Sequence, residues 1–229
     1  ARRRASSRLR ALGSARAAAP TACPPSRFLC GASSATPVIW GDKIFLLAQE
    51  LEQVSLLCIN TEGKVLWTAK VDNAKGKANV ERTMASPSPS TDGKHVYAMT
   101  GNGEVVSFDY TGKEVWRFNA QDRYGQFRLG FGFHTTPVLH RGRLYLQLIH
   151  SGGAWVVSID AATGKEVWKA ERKSDGVAEC EHAYTSPCIW QKGSTQQLIT
   201  HGNDYAIGHR LSDGKELWRV AELNPKDRY

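Results

Sequence analysis

The chain has 229 residues, 41% of them hydrophobic, and a formal net charge of +8 from 30 basic and 22 acidic side chains. Seven arginines fall in residues 1–41, which hold no lysine and no acid, so residues 42–229 set 23 basic groups against 22 acids. The repeat body is therefore close to neutral, which excludes a basic nucleic-acid face on the folded part, and no run of 18 apolar residues marks a membrane-spanning helix.

Residues 1–30 are rich in Arg, Ala, Ser and Pro and show no hydrophobic period. A disordered tail is expected there. It reads as an Arg- and Ser-rich targeting segment or as a non-native leader. Residues 31–229 read as four repeats, near 31–80, 81–130, 131–180 and 181–229. The first repeat carries Asn60-Thr-Glu-Gly-Lys-Val-Leu-Trp67 and the second Asp109-Tyr-Thr-Gly-Lys-Glu-Val-Trp116. The third is the clearest: Trp155–Asp160 alternates, turns at Ala-Thr-Gly-Lys, and resumes to Trp168. That is a hairpin with glycine in its turn. The fourth carries Arg210-Leu-Ser-Asp-Gly-Lys-Glu-Leu-Trp218. The tryptophans lie 49, 52 and 50 residues apart, and Pro37, Pro87, Pro137 and Pro187 lie 50 apart, each after Ser or Thr. Proline opens a strand but is excluded from the middle of a central one. Two markers at one period, with several short strands in each, give an all-β propeller of four-stranded antiparallel blades.

In the third repeat the strands are expected at Pro137–His140, Arg143–His150, Ala154–Asp160 and Glu166–Glu171. No helical stretch of useful length is expected, and 82–90 and 120–130 are the loosest connections. From Trp to the next marker proline takes 20, 21 and 19 residues, and 11 remain after Trp218. The expectation is a partial ring of a larger seven- or eight-bladed propeller, with the remaining blades of a longer chain as neighbours. Five cysteines, Cys23, Cys30, Cys58, Cys180 and Cys188, show no zinc spacing. Cys58 is expected to be buried on a strand. Cys180 and Cys188 are read as free thiols, with pairing as the alternative in an oxidising compartment.

The repeats resemble the PQQ-like, quinoprotein-type β-propeller family, whose tryptophan-docking motif reads approximately Ala-x-Asp-x-x-x-Gly-x-x-x-Trp. Ser158, Asp160, Gly164 and Trp168 match it. Ser107, Asp109, Gly112 and Trp116 match with one residue fewer, and Cys58, Asn60, Gly63 and Trp67 more loosely. Gly208, Arg210, Gly214 and Trp218 lose the acid. The resemblance implies that each Trp docks on the neighbouring blade and each Gly permits the turn. A tryptophan buries some 150–250 Å² and its N–H can meet a backbone acceptor. The family includes PQQ- and calcium-dependent dehydrogenases, BamB-type scaffolds of outer-membrane assembly, and secreted bacterial proteins common in planctomycetes. The motifs here are most similar to that last group.

In such propellers ligand sites lie on the face made by loops leading into the first strand and by second-to-third strand turns. The candidates on that face are Glu81, Arg82, His134, Glu181, His182, His201, Asn203 and Asp204, with His150 and the Gly130–Phe133 run beside them. Each has a bland reading as a loop charge or backbone cap. No catalytic residue and no metal site are assigned. An adjacent Cys-Cys pair, a calcium-ligand set and a catalytic Asp cannot be placed, and nucleotide-loop, serine-elbow and zinc-helix motifs are absent. The reading is a non-catalytic extracytoplasmic module, periplasmic or secreted, that binds a protein or small ligand and carries no cofactor. The alternatives are a PQQ- and Ca2+-dependent oxidoreductase and a sensor propeller attached to a signalling protein.

Overall fold

The structure, a computed structural model, describes residues 32–74, 83–129 and 132–223. Four antiparallel sheets follow one another along the chain, each in the order first, second, third, fourth strand. Blade 1 holds β1 (Val38–Trp40), β2 (Lys43–Glu50), β3 (Gln53–Asn60) and β4 (Val65–Asn73). Blade 2 holds β5 (Ser90–Thr91), β6 (His95–Met99), β7 (Glu104–Asp109) and β8 (Glu114–Asn119). Blade 3 holds β9 (Val138–His140), β10 (Arg143–His150), β11 (Gly153–Asp160) and β12 (Glu166–Glu171). Blade 4 holds β13 (Cys188–Lys192), β14 (Thr195–Gly202), β15 (Tyr205–Arg210) and β16 (Glu216–Val220). The chain is an all-β propeller array of four-stranded blades.

Three first strands begin one residue after a marker proline. The exception is β5, which starts at Ser90 because Pro89 follows Pro87 and has no N–H to give the ladder. The first strands are the innermost, β1 beside β5, β5 beside β9 and β9 beside β13. The residues around the prolines join them. Thr36 N–H donates to Ser88 Oγ (2.8 Å), Ser88 N–H to Thr136 Oγ1 (2.9 Å) and Thr136 N–H to Ser186 Oγ (2.9 Å). One connection departs from expectation. Residues Ala120–Tyr124 form a short helix, α1, capped by Asn119, whose side chain accepts from Gln121 N. Among the described residues no disulfide joins Cys58, Cys180 or Cys188, and the first two are buried.

Two large apolar cores lie between blades. The first seam joins Phe45, Leu47, Leu56 and Val71 of blade 1 to Val96, Val106 and Phe108 of blade 2. The second joins Met99, Val105 and Phe118 to Leu144, Leu146, Leu148 and Ile159. The third is smaller, with only Tyr145, Val156, Trp168 and Leu198 fully buried in it.

A tryptophan crosses each seam. Trp67 Nε1 donates to the carbonyl of Tyr110 (3.0 Å), Trp116 to Ala161 (2.9 Å) and Trp168 to Leu211 (3.0 Å). Each ring lies on the glycine of the next blade's hairpin. A methyl built on Gly112, Gly164 or Gly214 would sit 2.9, 2.7 or 2.6 Å from the incoming indole. These glycines also have φ between +67° and +86°, the left-handed region that suits glycine. Two needs, backbone and ring, therefore fall on one residue. The acids act within the same turns. Asp109 Oδ1 accepts from Thr111 N and Lys113 N, and Asp160 Oδ1 from Thr163 N. In blade 4, where Arg210 replaces the acid, Asp213 accepts from Lys215 N and pairs with Arg210.

Trp218 departs from the family expectation of docking. It is 38% exposed and its Nε1 donates to Gln197 Oε1 of its own blade (2.8 Å). It pairs across the sheet with Gly208, where a methyl would lie 2.3 Å from the ring. The other blades carry Cys58, Ser107 or Ser158 opposite their tryptophans. The missing side chain at Gly208 lets the unseated indole lie back on its own sheet.

Candidate functional site

The loops leading into β9 and β13 meet at Tyr184. The His134 ring lies 6.2 Å from it, and the His182 ring 6.5 Å away and edge-on. The structure thus brings His134 and His182 to one aromatic residue. Glu81, Arg82, Gly130 and Phe131 lie outside the described residues. Phe133 does not line a channel: it is 1% exposed and stacks on Phe127 at 4.6 Å in the second core.

The other candidates are engaged in structure. The carbonyl of His201 accepts from Gln147 Nε2 (2.7 Å) and Thr185 Oγ1 (2.5 Å), fixing the loop before β13. Asn203 and Asp204 are both buried, with φ of +50° and +70° in the β14–β15 turn, where Asn and Asp tolerate the left-handed region best. Asp204 accepts from Glu222 N (3.2 Å). Asn203 Oδ1 accepts from Arg172 (3.1 Å). Both side chains therefore serve the fold.

Sequence reasoning passed over Arg172, although a signal was present. It stands four residues after Trp168, where the first two repeats have Val71 and Ala120. All three positions are at most 1% exposed. Its Nε donates to Thr200 Oγ1 (3.1 Å), and its terminal nitrogens also reach the carbonyls of Gly202 and Tyr205 (2.7 Å each). Thr200 Oγ1 lies 3.0 Å from His209 Nε2, and His209 Nδ1 lies 3.2 Å from the Gly214 carbonyl. A carbonyl only accepts, so Nδ1 carries the proton and Nε2 accepts from the Thr200 hydroxyl. The relay runs from Arg172 to the turn on which Trp168 sits. Burial pulls the guanidinium down to about 10, which leaves it a cation at neutral pH. The same burial lowers His209 and keeps it neutral.

His150, Glu181, Arg172 and Asn203 also line a cavity of about 330 Å³, shared with Glu171 and Lys173. His150 accepts from Gly152 N at Nδ1 (3.1 Å), so its proton is on Nε2, which meets no acceptor among the described residues. Burial, reinforced by His182 and Arg128, pushes its pKa down to about 4. A larger cavity, about 580 Å³, lies beside Glu50–Gln53 and Asn73 and holds none of the candidate residues. The smaller one carries the chemistry. Among the described residues no three His, Cys, Asp or Glu side chains converge to hold a metal, and no helix is long and apolar enough to cross a membrane.

The family model for PQQ-type repeats described as outer membrane protein assembly factor BamB matches residues 20–111 and 103–227. No curated protein matches the chain. Among solved structures, the quinohemoprotein alcohol dehydrogenase of Comamonas testosteroni is similar at 14% identity and a TM-score of 0.61, over 87% of this chain and 36% of that one. BamB from Moraxella catarrhalis is similar at 18% identity and 0.54, over 85% and 54%. A europium-containing methanol dehydrogenase is similar at 13% and 0.59, over 86% and 42%. The chain spans between about a third and about a half of these proteins. At these identities the likeness is one of fold. Among the described residues Asp204 accepts from Glu222 N, and the imidazoles of His134 and His182 flank Tyr184 rather than a shared point, so no ligand set for a metal–quinone pair is assigned. No chemical step through such a group is derived.

Proposed function

This chain belongs to the BamB-type family of PQQ-like repeat propellers, and on that premise we propose that it is a non-catalytic binding module working outside the bacterial cytoplasm. Its partner-facing surface is the loop cluster of His134, His182 and Tyr184, with Glu181 at its margin, and a protein is the partner class. One observation carries this reading. The buried polar groups Arg172 and His209 relay across the third seam to a docking turn, and the buried His150 ring packs on Phe127 beside the second core, so all three serve blade packing. An aromatic side chain flanked by two imidazoles suits a protein surface, since aromatic residues are enriched at contact cores.

Two measurements test it. A photo-crosslinking residue placed at Tyr184 is expected to capture an extracytoplasmic partner, and the same residue at the exposed outer position Val167 is not. Equal capture from both positions would contradict the assignment of the face. In parallel, the chain and the longest reading frame containing it are titrated with pyrroloquinoline quinone and Ca2+. No dye-linked alcohol or sugar oxidation is expected, and calcium-dependent turnover would replace the scaffold reading with an oxidoreductase.

A further inference from the structure

The first and third seams share one aromatic pair. Register puts Tyr145 in the place of Phe45, and each ring lies 5.9 Å from its tryptophan, Trp168 or Trp67. What covers the pair differs. At the first seam the acceptor residue of the seat is Tyr110, whose ring closes over Phe45 at 5.1 Å and whose hydroxyl meets Thr91 Oγ1 (2.7 Å). At the third the acceptor residue is Leu211, which has no ring to offer. A cavity of about 340 Å³ stands there, lined by Tyr145, Trp168, Leu211, Ser212, Arg141 and Arg143. It lies at the far end of the strands from the loops of His134 and His182, so it is a second site, separate from that loop face.

The charges on its rim also break the repeat. Register aligns Arg143 with Lys43 and His95. Each of those two has an acid of its own first turn beside it, Asp42 at 3.0 Å from Lys43 and Asp92 at 3.6 Å from His95. The blade 3 turn, Arg141-Gly142, has no acid and adds a second cation. Among the described residues no acid pairs with Arg141 or Arg143. Asp160, opposite Arg143 in the ladder, is held by Thr163, and Asp213 is held by Arg210. Arg141 also has φ +48°, at the turn position where blades 1 and 4 have Gly41 and Gly193 at +59° and +60°. That region disfavours a residue with a Cβ, and Gly, Asn or Asp suits such a turn. The local backbone therefore does not call for arginine there.

We propose that this cavity binds a small aromatic anion, its ring standing where Tyr110 closes the first seam and its phosphate or carboxylate held between Arg141 and Arg143. Apolar walls with a few polar groups at one end are the usual make-up of a small-ligand site, and guanidinium groups suit either anion.

Calorimetric titration of the protein with phenyl phosphate and with benzoate tests this. One molecule per chain is expected to bind, and the tighter of the two identifies the anionic group. Phenol, inorganic phosphate and acetate, which each lack half of the recognition, are expected to bind about tenfold more weakly or worse. Arg141→Gln and Arg143→Gln are each expected to weaken the tighter anion about tenfold, the loss of one charge-assisted contact. Lys43→Gln, at the paired position of blade 1, is expected to leave it unchanged. Leu211→Tyr rebuilds the cover of the first seam and is expected to abolish binding with an unchanged far-ultraviolet β spectrum. No saturable heat with either aromatic anion at millimolar concentration overturns the proposal. So does binding that survives Leu211→Tyr or both arginine substitutions, or an equal affinity for phenol, inorganic phosphate or acetate.

Discussion

The first two seams and the third solve one packing problem with different chemistry. At the first, Val71 and the blade 2 residues Ala98 and Phe108 make a dry contact. At the third, register places Thr200 where Ala98 stands and His209 where Phe108 stands, and Arg172 replaces Val71. The apolar centre shrinks to a few residues and a hydrogen-bond relay takes the remaining space. The tryptophan seat is the same at all three seams, and this shows what the family motif specifies. It fixes how one blade grips the next, and leaves free what fills the gap between them. Trp218, which keeps the motif but sits on no neighbour, separates the seat from the residue.

The largest expected effect compares a seated ring with the free one. Trp168→Ala removes a ring that is 9% exposed and bridges two blades, and is expected to cost about 3–5 kcal/mol in urea unfolding. Trp218→Ala is expected to stay within about 0.5 kcal/mol of the unaltered chain. Equal losses would break the distinction.

Next comes the pH response of His150, whose ring packs on Phe127 at 5.3 Å. The folded-state pKa of His150 is depressed from 6.5 to about 4, so the unfolded chain takes up its proton first as pH falls. Its contribution is complete above pH 6.5 and is lost between there and about pH 4, a fall of about 3 kcal/mol at most. His150→Gln is expected to flatten that limb of the stability–pH curve, and an unchanged slope would place the titration elsewhere. Arg172→Ala, which takes the guanidinium donor from the Asn203 amide oxygen and from the Gly202 and Tyr205 carbonyls, is expected to cost about 2–3 kcal/mol. Arg172→Met is expected to be no better, because it leaves the same acceptors unpaired.

The smallest effect isolates the seat itself. Gly63→Ala and Gly214→Ala each place a methyl at positive φ, with a shared strain of about 1 kcal/mol. Only at Gly214 does that methyl meet an indole, 2.6 Å away. The difference between the two losses, about 1–3 kcal/mol for a forced overpacking, measures the seat free of backbone strain. No difference would mean that the Trp168 ring moves aside without cost.

Blade architecture was legible because its markers are local and repeat. A proline that opens a strand, a glycine in a hairpin and a tryptophan four residues after it each act over a few residues. Less of the candidate face was legible. His134 and His182 do converge, but on Tyr184, which spacing alone did not single out. Asn203 and Asp204 were expected on a channel; in the β14–β15 turn, with both residues left-handed, Asn203 meets Arg172 across the third seam and Asp204 accepts from Glu222 N of its own blade. Arg172, Thr200 and His209 form a polar cluster only across two blades, although Thr200 and His209 stand at positions that are apolar in the other repeats and Arg172 at one that is apolar in the first two. Comparing repeats position by position, rather than motif by motif, exposes them.

The most direct test is indole N–H exchange followed by NMR. The indoles of Trp67, Trp116 and Trp168 donate to carbonyls of the adjoining blade and are expected to be protected together, to the level of global unfolding. Trp218 is expected to exchange far faster. Protection of all four alike, or of none, would contradict a propeller held blade to blade by seated tryptophans.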